Sequence, residues 1–410
     1  MVTNLPDLPR KSLSFSWSKS RLVKWAMIKN LEKAAERILK AIEKKEKIIL
    51  YGDADLDGVT SVIVLSETIQ TLGGKFSAVY FPDREIEGYG ISQKGLELLK
   101  EFSPALFITV DCGISNFEEI KLAKKIGFDV IVVDHHEVID ELPEADIVVD
   151  PKQKDDQSGA RDLAAVGIVF KLSETLLKDR MSYNLRKSFL ELVAIGTIAD
   201  MMPQTGDNKK FISEGLFSLK DSWRPGIRAF FETAFFKNYP LVQKISKIIS
   251  ILNVRDIENN LPISFKLFTT PSLEEAKEII FKLSEKNEQR KEKIKQIIEE
   301  ISELISKQKE PVIFAGEKDW DLGLLSSVAS FLVQKTKKPV FVFKKLAEES
   351  VGTVRTPTGI DSVILMKKCK DYLITFGGHS QASGFRLRNE NLEKFKECLI
   401  NYFIEIYSKP

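Results

Sequence analysis

The sequence predicts an α/β protein of two domains. An N-terminal parallel-sheet domain with helices on both faces is joined by a long helix to a smaller C-terminal α/β domain. Three observations predict this. Short apolar runs alternate with helical periodicity from residue 47 to about 133, the pattern of parallel strands connected by helices. A second alternation starts near residue 311. Between the two lies a Lys/Glu-rich helical stretch over 271–308. With 410 residues the chain is long for one domain and comfortable for two.

The elements follow in order. Residues 1–45 hold eleven Lys/Arg against four Asp/Glu, an excess of +7, which leaves −5 for the rest of a chain whose total is +2. They are expected to form a basic helical arm, suited either to phosphate-backbone binding or simply to a solvated amphipathic face. Trp17, Lys19, Arg21, Lys24 and Trp25 in it could stack on and pair with a single strand. The first domain is placed at 46–270. Its strands are predicted at 47–51, 76–81, 105–110 and 129–133, and its helices at 58–72, 92–102 and 116–126. Two helices are expected over 162–200, and 210–270 reads as mostly helical. The second domain, 309–410, is given strands at 311–315, 339–343, 350–355 and 372–375, with helices at 322–335, 360–369 and 391–407.

Composition excludes several classes. No stretch approaches 18 consecutive apolar residues, so a membrane span is not expected. The N-terminal segment lacks the pattern of a secretory signal, so a cytoplasmic location is expected. Cys112, Cys369 and Cys398 are odd in number and lack CxxC spacing, and they are read as reduced thiols. No G-x-S-x-G, Walker A or G-x-G-x-x-G motif is present, which argues against acyl transfer, P-loop chemistry and dinucleotide binding.

Chemistry concentrates in a few strings. Asp53-Ala54-Asp55-Leu56-Asp57-Gly58 puts three carboxylates at alternate positions after a strand, and Gly58 permits the turn into the next helix. The spacing resembles the start of a calcium loop, but position 12 of that loop would be Val64, inside an apolar helix. Asp111 ends another strand, where it could equally be a helix N-cap. Asp134-His135-His136 ends a third. The chain has three histidines, His135, His136 and His379, so two adjacent ones beside an aspartate point to a site. Asp200 closes a long apolar helix. In a parallel sheet, strand carboxyl ends share one face, where ligands bind. Several carboxylate loci with imidazole exceed what one cation needs. They suit two, about 3.5–4 Å apart, which activate water and neutralise a leaving oxygen in phosphoester hydrolysis. Mixed His and carboxylate ligands favour Mn²⁺-like ions over Mg²⁺.

The second domain carries Phe376-Gly377-Gly378-His379-Ser380-Gln381-Ala382-Ser383-Gly384. Its glycines would let backbone N–H groups approach a phosphate, with a helix N-terminus adding its dipole. Arg355 could clamp the same phosphate.

Together these residues resemble the DHH phosphoesterase superfamily, and within it the RecJ-type single-strand exonucleases. The match runs in order through Asp53–Gly58, Val110–Gly113, Asp134–Glu137 with Asp150-Pro151-Lys152, Gly196–Asp200, and Gly377-Gly378-His379 of a DHHA1-type domain. The resemblance implies that Asp55, Asp57, Asp111, His135 and Asp200 hold two Mn²⁺ or Mg²⁺ ions. His136 would face the scissile phosphate, with Asp134 behind it and Asp53 supporting the site. Arg355, Gly377, Gly378 and His379 would bind substrate from across an interdomain cleft. It also implies exonucleolytic release of 5′-mononucleotides from single-stranded DNA, read as 5′→3′. The alternatives are a hydrolase of short oligonucleotides or RNA, and a replication scaffold with a decayed metal site. An OB-fold, common in longer members, is not expected here. Protein partners are not legible.

Overall fold

The computed structural model describes residues 27–407 except 85, 139–140, 234–235, 237–238, 255–256, 259–260 and 308–309. Trp17, Lys19, Arg21, Lys24 and Trp25 of the expected arm lie outside the described residues. Contacts divide the chain into two units, Met1–Ser284 and Glu285–Pro410. The division falls within one helix.

In the first unit, five parallel strands form a sheet: β1 (Ile48–Gly52), β2 (Ala78–Tyr80), β3 (Ala105–Val110), β4 (Phe128–Val133) and β5 (Ile147–Val149). Their order is β2-β1-β3-β4-β5. Alternate side chains build two cores, as the two-residue period of a strand dictates. Leu50, Ile108 and Val133 face one core. That core is covered by α1 (Leu31–Glu43), α2 (Leu56–Thr71), α5 (Ala165–Leu177) and α6 (Tyr183–Ala199). Tyr51, Phe107 and Val132 face the other, under α3 (Gln93–Leu99) and α4 (Phe117–Ile126). Both faces are therefore sealed, and the strands are largely apolar rather than alternating, with Asp129 of β4 the exposed exception. Truncating a fully buried side chain such as Ile108 to Ala costs about 2–5 kcal/mol. Residues 31–43 of the expected arm belong to this core. Ala34, Ile38 and Ala41 are wholly buried, and Arg37 bridges Glu46 and Asp129 at 2.7 Å each.

The chain goes on through α7 (Gly206–Ser218), α8 (Pro225–Glu232), α9 (Leu241–Leu252), a short ribbon of β6 (Ile257–Glu258) with β7 (Leu261–Pro262), and α10 (Ile263–Thr269). The 35-residue α11 (Leu273–Lys307) follows.

The second unit is a mixed sheet, ordered β11-β12-β10-β9-β8. Its strands are β8 (Ile313–Glu317), β9 (Val340–Lys345), β10 (Glu349–Arg355), β11 (Thr375–His379) and β12 (Ala382–Arg388). The end of α11 and α12 (Leu322–Thr336) pack one face. Helices α13 (Ser362–Lys368) and α14 (Leu392–Tyr407) pack the other.

Three expectations are corrected. Strand β5 has no counterpart among the predicted strands. The Gly377-Gly378-His379 segment is strand β11 of a hairpin with β12, not a loop leading into a helix N-terminus. Cys369, just past α13, and Cys398, in α14, lie 29 residues apart in sequence, but packing brings their Cα atoms to 6.0 Å and they form a disulfide. Cys112 alone is free, and it is buried.

Candidate metal centre

Four neighbouring strands each end in an aspartate: Gly52-Asp53, Val110-Asp111, Val133-Asp134 and Val149-Asp150. The ladder extends one residue beyond the strands to align them. The Asp53 N–H donates to the Val110 carbonyl (3.3 Å), Asp111 to Val133 (3.0 Å) and Asp134 to Val149 (3.0 Å). The strand order reverses between β1 and β3, where helices on opposite faces leave a crevice at the carboxyl ends. Asp53 and Asp111 stand at that crevice.

Each carboxylate is held by its own local device. Asp55 caps α2, accepting from the N–H groups of Asp57 (3.0 Å) and Gly58 (3.1 Å). Gly58 is required by close approach, since a Cβ there would lie 2.3 Å from the Asp53 carbonyl oxygen. Asp57 is buried and accepts from Ala165 N–H (2.7 Å) and Val166 N–H (2.9 Å), the first turn of α5. Asp111 adopts φ 62°, a left-handed conformation that aspartate tolerates better than most side chains. Asp200 is the C-cap residue of α6.

The two histidines differ. His135 is buried, and neither ring nitrogen completes a well-aligned hydrogen bond. Its Nε2 lies 3.2 Å from Asp111 Oδ1, 3.6 Å from Asp200 Oδ2 and 3.8 Å from Asp57 Oδ2. Burial, then the charge of His136, depresses it to about 3, so the ring is neutral with a lone pair to offer. His136 Nδ1 sits 2.7 Å from Asp134 Oδ1. Burial opposes its charge, but Asp134 outweighs burial and raises the imidazole above its ordinary value. Asp134 is likewise buried, yet the His136 hydrogen bond and charge hold it at about 2. It also accepts from Ile114 N–H (3.0 Å) and His135 N–H (2.7 Å).

The remaining carboxylates repel one another. Burial, then Asp200 and Asp55, pushes Asp57 well up. Burial, then Asp55 and Asp57, does the same to Asp111. Burial, then Asp55, raises Asp200 to about 6. Three groups of ligand atoms come within 4.8 Å of one another: Asp57, His135 and Asp200; Asp53, Asp55 and Asp111; Asp111, His135 and His136. A buried neutral imidazole without a well-aligned hydrogen bond, an Asp200 Oδ2 without one, and mutually destabilised carboxylates fit divalent cations, which would remove all three costs.

Residues the sequence reading missed also converge here. Arg84 Nε donates to Asp53 Oδ1 (2.6 Å) and its Nη2 to Asp55 Oδ2 (2.9 Å). Tyr89 Oη donates to the Asp111 carbonyl (3.3 Å) and lies 3.2 Å from the His136 ring nitrogens. Asp150, named in the sequence only as part of the Asp150-Pro151-Lys152 string and given no role there, is buried; it accepts from Lys152 N–H (2.7 Å), and burial raises it to about 7. A signal for Asp150 was available: Ile131-Val132-Val133-Asp134 recurs as Ile147-Val148-Val149-Asp150.

The other predicted residues lie in the second unit. Arg355 ends β10 opposite Ala382, which is itself opposite His379, so the three form one row across the sheet. The Arg355 guanidinium donates to Thr353 Oγ1 (3.1 Å) and the Val354 carbonyl (2.8 Å). Among the described residues no carboxylate pairs with it, and burial alone lowers its pKa. The Ser380-Gln381 turn is pinned by Ser362 N–H (2.7 Å) and Thr356 Oγ1 (3.1 Å), both donating to the Ser380 carbonyl. Gly377 faces open space.

The fold and centre define a class: a two-unit α/β protein with a cation-seeking carboxylate–imidazole cluster at the switch point of a parallel sheet. Known proteins give the family. The description "DHH family, N-terminal domain" fits residues 47–197, and "DHHA1 domain" fits 309–405. The chain belongs to the DHH family and is RecJ-like. It is 33% identical over 388 residues to the single-stranded-DNA-specific exonuclease RecJ of Bacillus subtilis, covering 91% of this chain and 47% of that protein. It is 26% identical to the RecJ of Escherichia coli, covering 95% of this chain and 71% of that one. The chain thus spans about half the length of the first relative. A crystal structure of exonuclease RecJ bound to manganese superposes with a TM-score of 0.77 at 28% identity, over 92% of this chain and 94% of that one. RecJ of Thermus thermophilus in complex with Mn²⁺ gives 0.79 at 26% identity, over 92% and 55%.

Proposed function

We propose that this chain is a cation-dependent exonuclease that hydrolyses phosphodiester bonds of single-stranded DNA, 5′→3′, releasing 5′-mononucleotides. The observation that carries the reading is buried His135, neutral and without an aligned hydrogen bond, ringed by Asp57, Asp111 and Asp200. Asp55, Asp57, Asp111, His135 and Asp200 would hold two Mn²⁺ or Mg²⁺ ions, and Asp53 lies close enough to Asp55 and Asp111 to contribute. Support comes from the family and from the relatives' printed names and bound manganese. Such ions, when bound, supply an acidified water and charge neutralisation at the leaving oxygen.

The chain's own residues divide the remaining work. His136, whose charged form Asp134 favours, donates a hydrogen bond to a non-bridging phosphate oxygen. Tyr89 steadies the His136 ring, with its hydroxyl 3.2 Å from both ring nitrogens and its own ring packed edge-on. Arg355, whose charge is uncompensated, binds a further substrate phosphate, and Gly377, Gly378 and His379 flank it. The reading places the protein in the cytoplasm. No described helix is long and apolar enough to cross a membrane.

The test is digestion of 5′- and 3′-labelled DNA and RNA, from dinucleotides to long oligomers, with Mn²⁺ or Mg²⁺. Asp55→Ala and Asp134→Ala serve as controls. Mononucleotides released stepwise from long DNA are expected. Hydrolysis of dinucleotides or RNA alone would move the assignment to a short-oligonucleotide or RNA hydrolase, and no hydrolysis at all would end it.

A further inference from the structure

The Asp57, His135 and Asp200 ligand group draws its members from three elements. Asp57 lies in the first turn of α2, His135 follows β4, and Asp200 caps α6. Two backbone connections fix their places. The one entering α5 holds Asp57 through the Ala165 and Val166 N–H groups. Its Leu163 carbonyl faces His135: burial lowers the imidazole, and this carbonyl acts against burial. The one leaving α6 carries Asp200. It turns through Met201 at φ 58°, a left-handed conformation that methionine rarely adopts, and Met202 N–H reaches the Thr197 carbonyl (3.3 Å). Both connections meet at one side chain. Asn208, in the first turn of α7, is 1% exposed. Its Nδ2 donates to the Asp162 carbonyl (2.6 Å) in the first connection and to the Pro203 carbonyl (2.9 Å) in the second.

We propose that Asn208 is a positioning residue for the Asp57–His135–Asp200 cation position: its amide clamps the two connections together and so sets how far Asp200 stands from Asp57 and His135. The inference rests on the two-cation reading above.

The amide's orientation follows from its partners, since two carbonyl acceptors identify the atom between them as nitrogen. Its Oδ1 is buried and has no hydrogen-bond partner. A buried acceptor left unsatisfied destabilises a fold, so what the residue contributes is its two N–H groups, one to each connection. The clamp acts on the member of the group that most needs it. Asp57 and His135 are buried among packed elements, whereas Asp200 hangs from a helix end with its side chain 27% exposed. His135 Nε2 lies 3.6 Å from Asp200 Oδ2 and 3.8 Å from Asp57 Oδ2, spans that a cation would bridge. Metal–ligand distances tolerate only about 0.2 Å of error, so a small drift of the Asp200 connection would be felt at the ion. Docking of α7 has a separate tie. Lys171 Nζ reaches Asp207 Oδ2 at 2.6 Å and joins α5 to α7 rather than one connection to the other. Docking and clamping can therefore be separated by mutation.

Mn²⁺ titration of the full chain, followed by the electron paramagnetic resonance of free Mn²⁺ and paired with calorimetric melting, tests this. Wild type should bind two Mn²⁺ ions. Asn208→Ala should weaken one of the two sites by about 10–100-fold, the usual effect of losing a group that orients a metal ligand, and leave the other unchanged. Lys171→Ala loosens the same helix start without touching the clamp. It should lower the melting temperature and leave both sites as in wild type. Equal Mn²⁺ affinities in wild type and Asn208→Ala would overturn the proposal alone, because a merely structural role lowers only the melting temperature. An equal loss of affinity in Lys171→Ala would overturn it as well. No Mn²⁺ binding by wild type would overturn the two-cation reading with it. If Asn208→Ala does not fold, Asn208→Ser, which keeps one O–H donor, decides by the same titration, with a smaller loss at the same site expected.

Discussion

The two units solve opposite electrostatic problems. The first gathers six aspartates around one sheet edge, Asp53, Asp55, Asp57, Asp111, Asp134 and Asp200, with Arg84 and His136 as counter-charges. The second holds Arg355 partly buried, with no carboxylate partner among the described residues. Excess negative charge in one place calls for cations, and an uncompensated guanidinium in the other calls for an anion. The proposed phosphodiester hydrolysis needs both. The contrast teaches that losing a residue in the first unit should abolish the reaction, whereas losing one in the second should weaken binding.

The largest expected effect sharpens that division. His135→Ala should lower kcat by at least about 10²–10³-fold, the scale of losing one element of transition-state stabilisation, with loss of Mn²⁺-induced thermal stabilisation. Steady-state kinetics and calorimetry check it together. Arg355→Ala should instead raise KM by about 10–100-fold, the worth of a charge-assisted hydrogen bond, with kcat little changed. A fall in kcat equal to that of His135→Ala would break the comparison.

Next comes pH. Asp57, Asp111 and Asp200 have folded pKa values above their unfolded value of about 3.9. Their stabilising contribution is complete below about pH 4 and is lost as pH rises through the folded values. His135, depressed to about 3, works in the other sense up to its unfolded value near 6.5 and is constant above it. Asp150, raised to about 7, acts in the same sense as Asp200 at about 6, and between pH 5 and pH 8 the two together outweigh the one imidazole. The metal-free protein should melt at lower temperature at pH 8 than at pH 5, and Mn²⁺ should raise the melting point more at pH 8. Differential scanning calorimetry reads both.

The smallest effect separates glycines. Gly58→Ala should cost about 1–3 kcal/mol, because its Cβ meets the Asp53 backbone. Gly377→Ala meets nothing and should change stability by less than about 1 kcal/mol. If Gly377→Ala nevertheless raises KM, the space is one a ligand fills.

Legibility followed the same division. In the first unit the buried strands announce themselves as β-branched runs ending in aspartate, so β1, β3 and β4 and their carboxylates could be read from the sequence. Strand β5 is as short as β2, but among the described residues no helix separates it from β4, so the strand–helix alternation does not mark it. Arg84 and Tyr89 sit on an irregular loop, where no repeat marks them and only tertiary contacts reveal their use. In the second unit, Gly377-Gly378 reads as a turn by intrinsic preference, but pairing with Ser383 and Gly384 makes it a strand. The cysteine expectation failed because spacing along the chain says nothing of how α13 and α14 pack.

Asp57 closes the first turn of α5 through two backbone N–H groups, and it also faces His135. An allele at Asp57 therefore confounds chemistry with folding, and a null phenotype there says little about either. Asp200 is the informative position. Its Oδ2 has no hydrogen-bond partner and its side chain is 27% exposed, so Asp200→Asn should yield a well-folded, inert protein suited to trapping substrate.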